Sequence, residues 1–235
     1  MNQPPAAPLP AITYPVSYEI TRPEGYNRLT VAFRLILAIP QLILVGGTGL
    51  FGVWFTRGPS SGRIFGPMLN GGLLGILLAI LTLFAWCAIV FTGSYAGAGR
   101  DFCLMIFRWQ QNVIAYLYLL AAPYPPFGDK PYALHLVVEP PEERKRLTVA
   151  FRIFLVIPHA IILVFLTIAA QIVTLIAWFA ILFTGQYPAA FYEFSVGVAR
   201  WSARVSAYML LFVDEYPPFT MESTTALGPT DPRMV

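Results

Sequence analysis

Between Leu147 and Thr184 the chain runs for 38 residues with Arg152 as the sole charge. As one helix this run would be about 57 Å long, against a bilayer hydrocarbon core of about 30 Å. It is therefore expected to form two short helices joined by a tight turn near Thr167–Gln171, with one strongly tilted helix as the alternative. Similar apolar runs lie at about 29–55 and 71–92, on either side of the polar loop RGPSSGR at 57–63. Each apolar region is followed by an amphipathic helix, at about 98–121 and 189–213. In the second, Phe191, Phe194, Val198, Trp201, Val205 and Tyr208 recur at helical spacing, opposite Glu193, Gly197, Arg200 and Arg204. In the first, Phe102, Ile106, Trp109 and Val113 oppose Asp101, Arg108, Gln111 and Asn112. Aromatics on one face and arginines on the other suit a helix lying in a membrane interface, with a third spanning helix as the competing assignment. Ahead of the apolar runs, YPVSYEI and YALHLVVE are rich in strand-favouring residues and end at Pro23 and Pro140, so two short strands are expected, able to pair.

The same order of elements occurs twice because the sequence itself does. RLTVAFR stands at 28–34 and again at 146–152. AIP before Gln41 matches VIP before His159, FTGSY at 91–95 matches FTGQY at 183–187, and Arg108-Trp109 matches Arg200-Trp201. Tyr116 matches Tyr208, and YPPF closes both copies at 124–127 and 216–219. From FTG to the Arg-Trp pair is 17 residues in both copies, but from RLTVAFR to FTG is 63 in the first and 37 in the second. Copy one thus carries an insertion of 26 residues, at about 47–72. The expected division is a Pro-rich arm at 1–13, repeat one at 14–128, repeat two at 129–220 and a tail at 221–235.

Composition makes the bilayer the natural solvent. The chain of 235 residues is 57% hydrophobic and 11% charged, where a soluble domain carries about 25%. The net charge of +3 reads as membrane topology rather than nucleic-acid binding. Basic residues favour the cytoplasmic face. Two crossings per copy put both RLTVAFR starts on that face, with 13 of the 15 basic residues, and leave Arg57 and Arg63 outside. Four spans with both termini inside are expected. The arm MNQPPAAPLPAITYP has no basic region or apolar run and does not read as a signal peptide. Cys87 and Cys103 have no metal-ligand spacing and read as packing residues.

These motifs, R-L-T…R…IP, FTG-x-Y, a helix with Arg-Trp, then YPPF, resemble an uncharacterised bacterial membrane-protein family, domain of unknown function 4389. Copy two, with FTGQYPAAFYEFSVGVARW followed by DEYPPF, is the nearer match. Copy one departs at Ala96, at Ala122-Pro123 and in its insertion. The resemblance implies a multi-pass membrane protein and brings no activity, cofactor or catalytic residue.

Few residues invite a chemical reading. Arg34 and Arg152 sit inside apolar helices, where a guanidinium snorkels, finds a partner such as Asp101 or Glu193, or joins Arg108, Arg200 and Arg204 in clamping a lipid phosphate. His159 follows the mid-helix Pro158 as Gln41 follows Pro40, and the two form a speculative intramembrane polar site. Gly93 and Gly185 fit helix C-caps, and Tyr95 and Tyr187 fit the interfacial aromatic belt. YPPF reads as an extended stop, with a docking role as the lesser alternative. Nothing matches a catalytic, metal or phosphate-loop pattern.

The expectation is an all-α membrane protein: a tandem repeat of a transmembrane helical hairpin plus an amphipathic interfacial helix, with short cytoplasmic β-strands. It is expected in the bacterial cytoplasmic (inner) membrane, multi-pass, without enzymatic activity or cofactor. A scaffold or accessory subunit is the leading function, ahead of an anionic-lipid-binding protein and a channel or transporter. The expected partners are the lipid bilayer, anionic phospholipid, and another membrane protein or a second copy of the chain, not nucleic acid.

Overall fold

The computed structural model describes residues 14–46, 72–92, 97–141 and 146–223. The terminal arms up to Tyr14 and beyond Ser223, the loop RGPSSGR, and Gly93 and Tyr95 lie outside the described residues. The chain is mostly helical: β1 (Val16–Ile20), α1 (Arg28–Ala32), α2 (Arg34–Val45), α3 (Leu73–Thr92), α4 (Gly97–Leu117), β2 (Leu134–Val138), α5 (Arg146–Thr184) and α6 (Ala189–Met209).

The expected turn at Thr167–Gln171 is absent, and α5 is one helix of 39 residues. No Gly or Pro interrupts this stretch, and a single stripe of packing carries through it. Val149, Val156, Leu163, Ala170 and Ala177 are buried at seven-residue intervals, with Arg152, His159, Thr167 and Ile181 on the same side. Repeat one shows the same stripe at the equivalent positions, in Val31, Arg34, Ala38, Gln41, Val45, Leu78 and Ile89. The stripe stays in phase although the insertion falls between Val45 and Leu78. Gly72 explains why. A methyl group there would overlap the main chain of Val45 and Gly46, so α3 resumes where α2 stops. α1, α2 and α3 together are therefore the counterpart of α5, and each repeat has one long apolar rod.

The two strands pair antiparallel, with Tyr18 opposite Leu136 and Val16 opposite Val138. Tyr18 and Leu136 are equivalent positions of the two repeats, so the repeats are related by a two-fold axis through that pair. The rods obey the same relation. Trp86 of α3 donates to the Val149 carbonyl at 2.9 Å, and its counterpart Trp178 of α5 donates to the Val31 carbonyl at 2.9 Å. The start of each rod thus lies against the end of the other.

Three layers result. The sheet packs on α4 and α6, and these pack on the rods. The third helices are not interfacial in the expected sense. Ile106, Trp109 and Val113 of α4 and Val198, Trp201, Val205 and Tyr208 of α6 are buried inside the protein. Tyr187, expected in an aromatic belt, is buried and bonds Ser195 at 3.2 Å. Both helices also end four residues earlier than expected, at Leu117 and Met209.

Candidate functional site

The repeated motifs converge, once per repeat, on a single kind of cluster. α4 and α6 each end in a turn that puts a leucine in the left-handed region, Leu119 at φ 62° and Leu211 at φ 66°. These turns close with Leu120 N–H donating to Ala115 at 2.9 Å and Phe212 N–H to Ala207 at 3.0 Å. The helix C-terminus presents carbonyls and the negative end of the helix dipole. The inner arginine of RLTVAFR covers it. Arg34, 3% exposed, donates to the carbonyls of Tyr116 at 3.0 Å and of Ala121 and Ala122 at 3.1 Å each. Its guanidinium lies over the Tyr116 ring, 4.1 Å from the centroid.

Arg152 repeats the arrangement with one change. It donates to the Tyr208 carbonyl and stacks 4.2 Å over the Tyr208 ring. Its other arm meets the Asp214 carboxylate at 2.7 Å, where the same arm of Arg34 meets the Ala121 and Ala122 carbonyls. Both side chains of this ion pair are almost wholly buried, at 2% and 6% exposure. Asp101 and Glu193, the expected partners, are exposed and do not reach these arginines. The depth of Arg34 and Arg152 follows from a helix end folded back beside them.

A second cluster lies about two turns further along each rod. Gln41, fully buried, donates to the Pro125 carbonyl at 2.9 Å and accepts from the Trp109 indole at 2.7 Å. His159 takes the same place in repeat two. Its Nδ1 accepts from the Trp201 indole at 3.1 Å, which assigns the proton of the neutral ring to Nε2. The ring stacks on Phe219 with centroids 3.9 Å apart and lies 4.9 Å from Tyr216. Trp109 meets Phe127 and Trp201 meets Phe219 edge-on, both at 5.9 Å. YPPF is thus pinned to the rod and to the Arg-Trp helix. Pro125 is buried in this lock, and the aromatic residues Tyr124, Phe127, Tyr216 and Phe219 remain partly exposed.

The other three arginines hold the outer layer. Arg108 pairs with Asp129 at 3.1 Å. Arg200 donates to the Tyr18 and Met221 carbonyls, both at 3.1 Å, and lies 3.5 Å from Glu19. Arg204 is buried and donates to the Thr220 and Glu222 carbonyls at 3.1 and 2.6 Å. Burial and the neighbouring Arg200 lower its pKa to about 10, against Tyr14 and Glu19, which favour the charge. Gly197 lets residues 220–222 cross α6, since a methyl there would come within 2.8 Å of Met221 Cβ. A cavity of about 20 Å³ between α4, α5 and α6, lined by Gln111, Thr167 and Ser195 among others, has room for about one water.

Five of the seven candidate residues, Arg34, Gln41, Arg152, His159 and Arg204, are buried, and Arg108 and Arg200 are partly exposed. Sequence reasoning missed Asp214, Trp86 and Trp178 as contacts, and read Trp109 and Trp201 as apolar-face residues without their bonds to Gln41 and His159. The signal available was the constant spacing of Arg-Trp, Tyr and YPPF in both copies. Arg28, the outer arginine of RLTVAFR, is exposed and approaches Gly185 of the other repeat, where a Cβ would lie 3.5 Å from its guanidinium. Gly185 has φ 77° and caps α5 through its N–H to the Ile181 carbonyl at 2.8 Å.

The family model described as Domain of unknown function (DUF4389) matches residues 68–128 and again 146–221, more than half of the chain and consistent with two copies of the domain. The first match opens within the insertion, and the second opens at Arg146 and spans the whole of α5 and α6. No curated protein and no solved structure matches the chain.

Proposed function

We propose, from the premise that this chain belongs to the DUF4389 family, that it is an integral membrane protein with a non-enzymatic role, a scaffold or accessory subunit of a membrane assembly. The observation that carries this reading is the outer face of the rods. Leu73–Phe91 and Thr148–Thr184 are long and apolar enough to cross a membrane, each with mean hydropathy 2.7, yet 17% and 28% of their most apolar windows are buried. A core helix of a soluble protein is mostly buried. Here Leu35, Ile39, Ile43, Leu83, Phe84 and Phe91 of one rod, and Phe154, Ile161, Phe165, Leu175, Phe179 and Phe183 of the other, stand exposed. Such a surface is stable in lipid and aggregates in water.

The non-enzymatic reading is supported by where the polar side chains go. Arg34, Arg152, Gln41, His159 and the tryptophans of the repeated motifs hold each repeat together, and Arg200 joins repeat two to the strand of repeat one. A body so internally committed suits a partner-holding role better than group transfer. We place it in the bacterial cytoplasmic membrane with the sheet and both termini on the cytoplasmic face, by the distribution of basic residues. The four-crossing scheme loses its footing in repeat two, because α5 has no turn.

The test is extraction in a gentle detergent. A stoichiometric protein partner should co-purify; a chain that runs alone at its monomer mass overturns the scaffold reading. Exposed Arg28, next in sequence to exposed Leu29 and close to Gly185 of the other rod, favours anionic-lipid binding as the second reading. Native mass spectrometry should then find retained anionic phospholipid that Arg28→Gln loses, and equal retention by both proteins excludes that site.

A further inference from the structure

The two-fold relation between the repeats restricts how the molecule can sit in a bilayer. The reciprocal bonds of Trp86 to Val149 and Trp178 to Val31 join each rod's start to the other's end. Their end-to-end directions are therefore opposed, and two opposed directions related by a two-fold axis are perpendicular to it. The axis itself runs through the sheet at Tyr18 and Leu136.

Such an axis lies either in the membrane plane or along its normal. In the plane, each rod crosses once and everything on the axis sits at the bilayer midplane. The sheet would then carry the Arg200–Glu19 pair, with Glu19 36% exposed, and the exposed His135 and Glu139 into hydrocarbon. Each charge at that depth is costly. It would also put Arg28 and Arg146 on opposite faces. Along the normal, the sheet stands outside the membrane, equivalent residues share one depth, and both rods run parallel to the surface. The layer order of sheet, then α4 and α6, then rods, fits the second arrangement.

We propose that the chain enters the membrane from one face, with both rods lying along the plane of one leaflet and its headgroup–acyl boundary as their partner. This rests on the membrane reading above. The orientation removes the mismatch between a helix of about 58 Å and a core of about 30 Å, because a helix in the plane has no thickness to match. It accounts for the exposure pattern too. The exposed residues of α5 from Phe151 to Phe183 fall within an arc of about 200° at 100° per residue, centred opposite the stripe that meets α6. One side of the rod faces protein and the other faces lipid, along its whole length.

The test is polarised infrared dichroism of the unmodified chain in oriented bilayers, with spin labels at Ile39→Cys, Phe165→Cys and Phe183→Cys in a Cys87→Ala, Cys103→Ala background. The amide I dichroism should place the mean helix axis near the membrane plane. The three labels should report one depth to within about 5 Å, a helix radius. Helices along the normal, or a label at Phe165 near the midplane with those at Ile39 and Phe183 both displaced toward the same headgroup layer, overturn the orientation. A chain that does not float with vesicles overturns the membrane reading itself.

Discussion

The two helix ends that the inner arginines of RLTVAFR close, those of α4 and α6, differ by one carboxylate. In repeat one, Arg34 closes the end of α4 with three main-chain carbonyls. In repeat two, Arg152 closes the end of α6 with one carbonyl and the carboxylate of Asp214. The same cation on the same fold can therefore be satisfied by dipoles alone or by a formal counter-charge. The carboxylate adds Coulomb attraction but must itself be desolvated, so it raises the cost of losing the arginine more than it raises the stability of keeping it.

Six substitutions test how far the two repeats differ. Arg152→Met removes the cation from a buried carboxylate and should cost about 3–5 kcal/mol, measured by thermal or denaturant unfolding in detergent. Arg34→Met should cost less, about 1.5–3 kcal/mol; equal losses would mean that Asp214 contributes nothing specific. The inter-repeat bonds are the symmetric control. Trp86→Phe and Trp178→Phe should each lose about 1 kcal/mol, and unequal losses would break the two-fold relation energetically. Ala122→Asp gives repeat one the missing carboxylate and should gain no more than about 1 kcal/mol, since residue 122 is only half-buried. His159→Gln should move the unfolding midpoint least, by under about 1 kcal/mol, because Gln41 already makes both bonds in the other repeat.

Much of this fold is visible in the sequence. Duplicated motifs reveal the repeat and bound the insertion, because residues on a shared scaffold keep their spacing. The strands are legible from Val16, Tyr18, Leu134 and Leu136, which alternate toward the core. The continuity of α5 is not, because a hairpin is inferred from the length of the run against a bilayer's thickness, while no Gly or Pro marks a turn at Thr167–Gln171. The burial of α4 and α6 is hidden for another reason. The period of Trp109 and Trp201 shows that one face is apolar, and lipid and protein are equally apolar partners for it. The partners of Arg34 and Arg152 are hidden because the left-handed turn uses Leu119 and Leu211, where glycine would have announced it.

The junction at Gly46 and Gly72 separates chain length from spatial length. Twenty-six residues leave and return between one helical turn and the next, and the packed stripe from Val45 to Leu78 does not lose phase. For the rest of the molecule, repeat one is as long as repeat two. The glycines work as a port in the wall of a rod: a segment can be enlarged, exchanged or removed there while the body that holds it stays the same shape.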